Sequence, residues 1–455
     1  MTVRRHFVPA YLLERIAERG QPPAADRARR AVVLDEQLRA RRPGTLPRHA
    51  AATTGEPSPR RRVSDAAGST TLPGHVVREE ADPATGDVAA DEAFDGLGAT
   101  WRLLQSEFGR DSLDGAGLPL EATVHYGQDY ANAFWDGERM VLGDGDGEYF
   151  GRFTASIDVI GHELAHGLTD ATSRLTYQGQ PGALNESVSD VVGAMVAQHV
   201  AGQDAQDADW LIGAGLFTDR VQGVALRSML RPGTAYDDPV LGRDPQPDSM
   251  AGYVETTDDN GGVHINSGIP NRAFALAATH VGGPAWEGAG AVWMAVLLGG
   301  QVRPDCDFET FAGLCVDEAG RRFGNQSQSA LAVARGWRSV GVLGTDVTPA
   351  RGTAADGASP SSSAPVVVVG RSGGVTGMSA ERRMNLATLP SEEAARWSEL
   401  LGSGVLAQLE PARPQPDRYV YRVRCQAASL DVTAGEGDLP DDVRSMIDAA
   451  LRRDA

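Results

Sequence analysis

The chain has 455 residues, 41% of them hydrophobic, a composition that fits globular domains and is long enough for two or three of them. No apolar run reaches the roughly eighteen residues needed to span a bilayer, so no membrane partner is expected. A net charge of −19 repels a phosphate backbone and sets nucleic acid aside, and every basic residue is arginine.

Taken in chain order, Met1 to Arg15 carries Arg4, Arg5 and His6 and then Phe7-Val8-Pro9-Ala10-Tyr11-Leu12-Leu13, a stretch interrupted by proline and charge. It lacks the uninterrupted apolar core and small-residue cleavage site of a secretory leader. The chain is therefore expected in the cytoplasm as made, with any export by a non-Sec route. On pattern alone the segment also reads as an amphipathic surface helix. Residues 43 to 63, with Pro57-Ser58-Pro59-Arg60-Arg61-Arg62, are rich in Pro, Thr and Arg and are expected to be extended. Between Val63 and Gly147, alternating stretches such as Thr123 to Tyr126 and a helical pattern from Asp87 to Phe108 predict an α+β lobe. From Ile157 to Val342 helical periodicity dominates, as in Val188 to His199 and Ala273 to His280. Residues 344–364 read as a linker, and 365–455 as a small α+β domain. Its predicted elements are a strand at Val366 to Val369, a helix start at Leu389 to Glu393, a strand at Arg418 to Val423 and a final helix opening at Pro440. The cysteines Cys306, Cys315 and Cys425 are odd in number and unevenly spaced, and read as reduced core thiols, with pairing of Cys306 and Cys315 after export as the alternative.

The chemistry concentrates in Gly161-His162-Glu163-Leu164-Ala165-His166. Helix positions four apart share a face, so His162 and His166 present two imidazoles to one metal ion, with Glu163 beside them as a candidate general base. Alone, the motif also fits a structural helix with two surface histidines. Catalytic zinc takes three protein ligands, and Asn185-Glu186-Ser187-Val188-Ser189-Asp190 supplies a candidate third. Two acids four apart beside an apolar Val188-Val191-Val192 stripe are costly inside a protein unless paired or metal-bound. Glu186 is thus expected as the third Zn2+ ligand, and Asp190 as the carboxylate orienting a ligand histidine, first of all His162.

These blocks resemble the thermolysin-like metalloproteases, whose pattern places a Glu twenty residues after the second His, the spacing of His166 and Glu186. The resemblance runs from about Arg62 to Val342 through Asn132-Ala133-Phe134-Trp135, Tyr177, Leu226-Arg227-Ser228-Met229 and Asp259-Asn260-Gly261-Gly262-Val263-His264. It implies a two-lobe α+β fold, with lobes at 63–156 and 157–343, and a zinc endopeptidase acting on proteins and peptides. Glu163 is implied as general base, Tyr177 and His264 as oxyanion donors and Asp259 as the residue orienting His264. On pattern alone Tyr177 reads as a core aromatic and His264 as a loop histidine. The resemblance further implies that Asn132 and the Ala133 backbone receive the substrate as an added strand, and that Arg227 hydrogen-bonds a substrate carbonyl. Phe150, Phe153, Val159, Leu216 and Leu226 match the lining of a pocket for a bulky apolar side chain just after the scissile bond.

Phe7 to Ile16 is similar to the start of the protealysin-type propeptide, which makes 1–62 a candidate inhibitory and processing segment, with self-cleavage expected between about Pro43 and Gly74. Val369 to Gly374, Leu386 to Pro390 and Pro416 to Tyr419 resemble emfourin, an inhibitor of such proteases, and imply that 365–455 restrains the enzyme, with Gly370 to Gly377 as the expected inhibitory loop. The alternative is a domain for substrate or wall binding. The double Ca2+ site of calcium-bound relatives is expected to be lost, because Asp158 and Asp209 remain but Ala197, Leu211 and Ala214 replace acidic ligands.

Overall fold

A computed structural model of the chain describes residues 5–40, 56–344, 366–373, 380–386, 396–397, 400–401, 419–425 and 430–451. These fall into two compact units divided between Arg351 and Gly352.

The first unit opens with β1 (Arg5–His6), α1 (Ala10–Arg19) and α2 (Ala24–Ala40). In α1 the spacing of Leu12, Leu13 and Ile16 turns one apolar face inward, and Gly20 ends the helix. A six-stranded sheet follows, built from β1, β2 (Arg61–Asp65), β3 (His75–Glu79), β4 (Leu120–Val124), β5 (Ala133–Trp135) and β6 (Met140–Leu142) in the order β1-β5-β6-β4-β2-β3. Its central pairs are parallel, and β1 adds to the edge antiparallel to β5, setting Arg5 opposite Trp135 and His6 opposite Phe134. The N-terminal segment therefore completes the sheet edge that a substrate strand is expected to use. Helix α3 (Val88–Phe108) is capped by Asp87, which accepts from the Ala90 N–H, so the predicted start falls on the cap.

The second lobe is mainly helical, with α4 (Ile157–Ala171), α5 (Gly179–Ala201), α6 (Asp259–Asn266) and α7 (Gly268–Val281) nearest the site. Two glycines set the approach of α4 and α5. A Cβ on Gly161 would sit 3.0 Å from the Gly193 Cα, and one on Gly193 would sit 2.4 Å from the Asp158 carbonyl oxygen. Glycine at both places lets the backbones close up, which brings His162 and His166 against Glu186 and Asp190. Behind them the core closes on Trp293 stacked against Trp337, with centroids 5.5 Å apart. Cys306 and Cys315 are buried free thiols.

The second unit has an antiparallel sheet in the order 380–385, 366–373, 419–425, 430–435, and a helix over Asp441–Leu451. Val367, Val369, Trp397, Tyr421, Val423 and Ile447 form its own core, with Cys425 a buried free thiol beside them. Gly370 to Gly373, expected as the start of a loop, instead belong to a strand: Gly370 pairs with both Glu381 and Arg422. Ladders on both sides hold this backbone extended. The rest of that stretch (374–379), the predicted helix start at 389–393, most of the 344–364 linker and residues 41–55 of the processing segment lie outside the described residues.

Candidate active site

His162 and His166 lie on the α4 face that meets Glu186 on α5, and one ligand atom from each lies within 4.8 Å of the others. His162 Nε2, His166 Nε2 and Glu186 Oε2 are buried without a hydrogen-bond partner. Orphaned buried acceptors of this kind are costly, and their convergence fits a tetrahedral zinc ion. The far side of each histidine is fixed. His162 Nδ1 is 2.7 Å from Asp190 Oδ1, whereas His166 Nδ1 is 2.9 Å from Asn185 Oδ1 and 3.0 Å from Ser189 Oγ.

That difference in partners separates the two rings electrostatically. Burial lowers both, but Asp190 and Glu186 raise His162 to about 9, while His166, facing a neutral amide, is held well below its ordinary value. Burial also drives the Glu163 carboxyl up to about 8, with the nearby negative charge of Glu186 adding to it and His162 opposing. Asp190 is held at about 2 against burial by Arg227 and His162. Its oxygens accept from Arg227 Nε and Nη2, both at 2.8 Å, and from Asn271 Nδ2 at 2.8 Å.

Tyr177 and His264 stand on the opposite wall. The tyrosine hydroxyl donates to Glu186 and lies 3.3 Å from His264 Nε2. His264 is helical rather than in a loop, because Asp259, Asn260, Gly261 and Gly262, the first residues of α6, all take positive φ and lead into its right-handed turn. This left-handed run folds the Asp259 carboxylate back, where it accepts from the His264 N–H at 2.8 Å and faces Nδ1 at 2.6 Å. Burial lowers the His264 pKa, but the charges of Asp259 and Glu186 outweigh it and raise it, favouring a ring that donates from both nitrogens.

Residues 5–8 occupy the cleft. His264 Nε2 is 2.9 Å from the His6 carbonyl, the Phe7 N–H donates to the Ala133 carbonyl at 2.9 Å, and the Arg227 Nη1 donates to the Phe7 carbonyl at 3.3 Å. Asn132 grips Val8 through both amide atoms, at 2.8 and 3.1 Å. The Phe7 ring is fully buried, edge-on to His162 and Phe153 and beneath the Arg227 guanidinium. Phe150 stacks behind Phe153, and Leu216 and Leu226 meet near the same wall at Gly213; Val159 is buried on α4. From α2, buried Asp35 accepts from Tyr130 at 2.6 Å and from Asn132 at 3.1 Å.

Asn185, Ser189, Asn271 and Asp35 were not singled out by sequence. Asn185 and Ser189 offered a signal, since they flank Glu186 on the same helix. Asp35 offered none, because its partners are 95 and 97 residues away.

A buried His-His-Glu centre with an adjacent carboxyl, set between a mixed-sheet lobe and a helical lobe, defines a zinc metalloendopeptidase. Residues 54–170 match the thermolysin metallopeptidase catalytic domain, 173–342 its alpha-helical domain, and 369–451 emfourin. The chain belongs to the thermolysin family, as a protealysin-like member that carries an emfourin domain. It is 48% identical over 335 residues to an extracellular metalloprotease of Pectobacterium carotovorum subsp. carotovorum, covering 74% of this chain and 95% of that one. A thermolysin of Alicyclobacillus acidocaldarius subsp. acidocaldarius is 38% identical over 263 residues, 56% of this chain and 46% of that protein. Among solved structures, the precursor of protealysin from Serratia proteamaculans aligns with a TM-score of 0.69 at 50% identity, over 74% of this chain and all of that one.

Proposed function

We propose that this metalloendopeptidase is made as a self-processing precursor, cleaves on the N-terminal side of bulky hydrophobic residues, and is restrained first by its N-terminal segment and then by its emfourin domain. The observation that carries the reading is Phe7, which fills an apolar pocket while residues 6–8 make strand-like hydrogen bonds with His264, Ala133, Arg227 and Asn132. A substrate held in the same way has its scissile bond just before the buried side chain.

His162, His166 and Glu186 would hold the zinc ion, which when bound would supply Lewis acidity at the scissile carbonyl. Glu163, buried beside the ligands and not one of them, takes the proton from the attacking water as a carboxylate and passes it to the leaving nitrogen. Tyr177 and His264 donate to the oxygen on which charge develops, and Asp259 holds the His264 ring for that task. Asn132 and the Ala133 carbonyl hold the substrate as a strand, and Arg227 fixes the carbonyl after the scissile bond.

Strand β2 begins at Arg61 and pairs with β4, so a processing cut that spares the sheet falls ahead of it, inside the expected window from Pro43 to Gly74. Calcium dependence is expected to be weak. The Asp158 carboxylate already accepts from Ser156 Oγ at 2.6 Å and from the Gly213 and Val159 N–H groups at 2.6 and 3.0 Å.

A linker of about twenty residues holds the emfourin domain at an effective concentration on the order of millimolar, so even a micromolar interaction restrains the enzyme. Short-peptide turnover by three forms tests the scheme: the chain as made, the self-shortened chain, and a self-shortened chain ending near Thr345. Turnover is expected to rise at each step by at least about tenfold, and the isolated domain should reverse the last rise. If the last two forms are equally active and the added domain changes nothing, restraint by the domain is wrong and recruitment of substrate takes its place.

A further inference from the structure

One cleft contact of the N-terminal segment involves an acid with no role in the scheme above. Arg5, two residues before Phe7, is buried, with side-chain exposures of 4% for Arg5 and 16% for its partner Asp170. Its Nη2 is 2.6 Å from Asp170 Oδ1, its Nη1 donates to the His166 carbonyl at 3.1 Å, and its guanidinium lies over the Tyr177 ring, 5.4 Å from the centroid. Asp170 is four residues beyond His166, so α4 directs it toward the same wall. Among the described residues Arg5 is its one ion-pair partner. When the segment leaves, this carboxylate stays fixed on α4, beside an aromatic face and a helix carbonyl, without the one ion-pair partner it has among the described residues.

We propose that Asp170 makes this slot a subsite that selects arginine as the second residue before the scissile bond. The assignment rests on the reading that Phe7 fills the pocket just after that bond, which puts His6 immediately before it and Arg5 one further out. Arginine suits the slot better than lysine does. Its planar fork donates to the carboxylate and the carbonyl at once while its face lies on Tyr177, whereas an ammonium is a single compact donor centre. Partial burial keeps the pair from being screened as a surface ion pair is, and a glutamate at the same place would face Asp170 with like charge.

Four peptides that share a Phe after the scissile bond and differ only two residues before it, with Arg, Lys, Ala or Glu, provide the test on zinc-loaded enzyme matured from the full chain. The expected kcat/KM order is Arg, Lys, Ala, Glu, with Arg about tenfold above Ala. In Asp170→Asn the ratio of Arg to Ala should fall below about threefold. A parent ratio under about threefold overturns the proposal without needing the variant, as does a tenfold preference that survives Asp170→Asn. Equal cleavage of all four beside Phe would remove the subsite and leave the endopeptidase reading standing. Failure to cut any of them beside Phe would remove that reading and the subsite with it.

Discussion

Glu163→Ala is expected to bind zinc and keep its fold while kcat/KM for a short peptide falls by roughly a thousandfold or more, the scale of a lost general base. The carboxyl is fully buried beside the ligands yet is not one of them, so its removal deletes a proton carrier and leaves the His162, His166 and Glu186 centre intact. It also removes a buried acid whose charged form is disfavoured by burial, so the fold has little to lose. The same variant should remain full length on incubation, whereas the parent shortens between Pro43 and Gly74. Mass spectrometry and a peptide assay on one preparation read both effects. Turnover within tenfold of the parent would contradict the role of Glu163, and an intact, fully active parent would contradict self-processing.

Asp190→Ala is expected to act on stability. Asp190 is fully buried and takes two hydrogen bonds from Arg227, one from Asn271 and a short contact from His162 Nδ1. Alanine leaves the buried Arg227 charge without its partner, which costs about 3–5 kcal/mol, and frees the His162 ring, which typically costs 10- to 100-fold in metal affinity. Asp190→Asn keeps the shape and an acceptor and should lie between the two. Because folding depresses the Asp190 pKa to about 2, its contribution is present above the ordinary carboxylate value of 3.8 and is lost as pH falls through about 2. Denaturant unfolding at neutral pH, with zinc titration alongside, is the measurement. A loss under about 1 kcal/mol would show that Arg227 finds another partner.

Local periodicity made the metal-facing residues legible. The four-residue spacings of His162 with His166 and of Glu186 with Asp190 each fix a helix face, and two such faces define a centre once the helices meet. Why they meet so closely depends on the Gly161 and Gly193 contact, which spacing does not reveal. Asp259 and His264 lie only five residues apart, yet their bond needs a left-handed run that reads on pattern as loop. The pairs that dock the N-terminal segment, Arg5 with Asp170 and Asp35 with Asn132, span 165 and 97 residues, and no local signal joins them. In the emfourin domain, glycine richness suggested a loop where two neighbouring strands impose a ladder.

The proposed function has this chain cut peptide bonds ahead of bulky apolar residues with a zinc ion on His162, His166 and Glu186. The most direct measurement is product mass analysis of a peptide with one internal Phe, using matured enzyme before chelation, after chelation and after zinc is returned. A single cut just before Phe is expected, which disappears with the metal and returns at about one zinc per chain. Cleavage that persists in metal-free enzyme, or a zinc-loaded enzyme that leaves the bond before Phe intact, would contradict it.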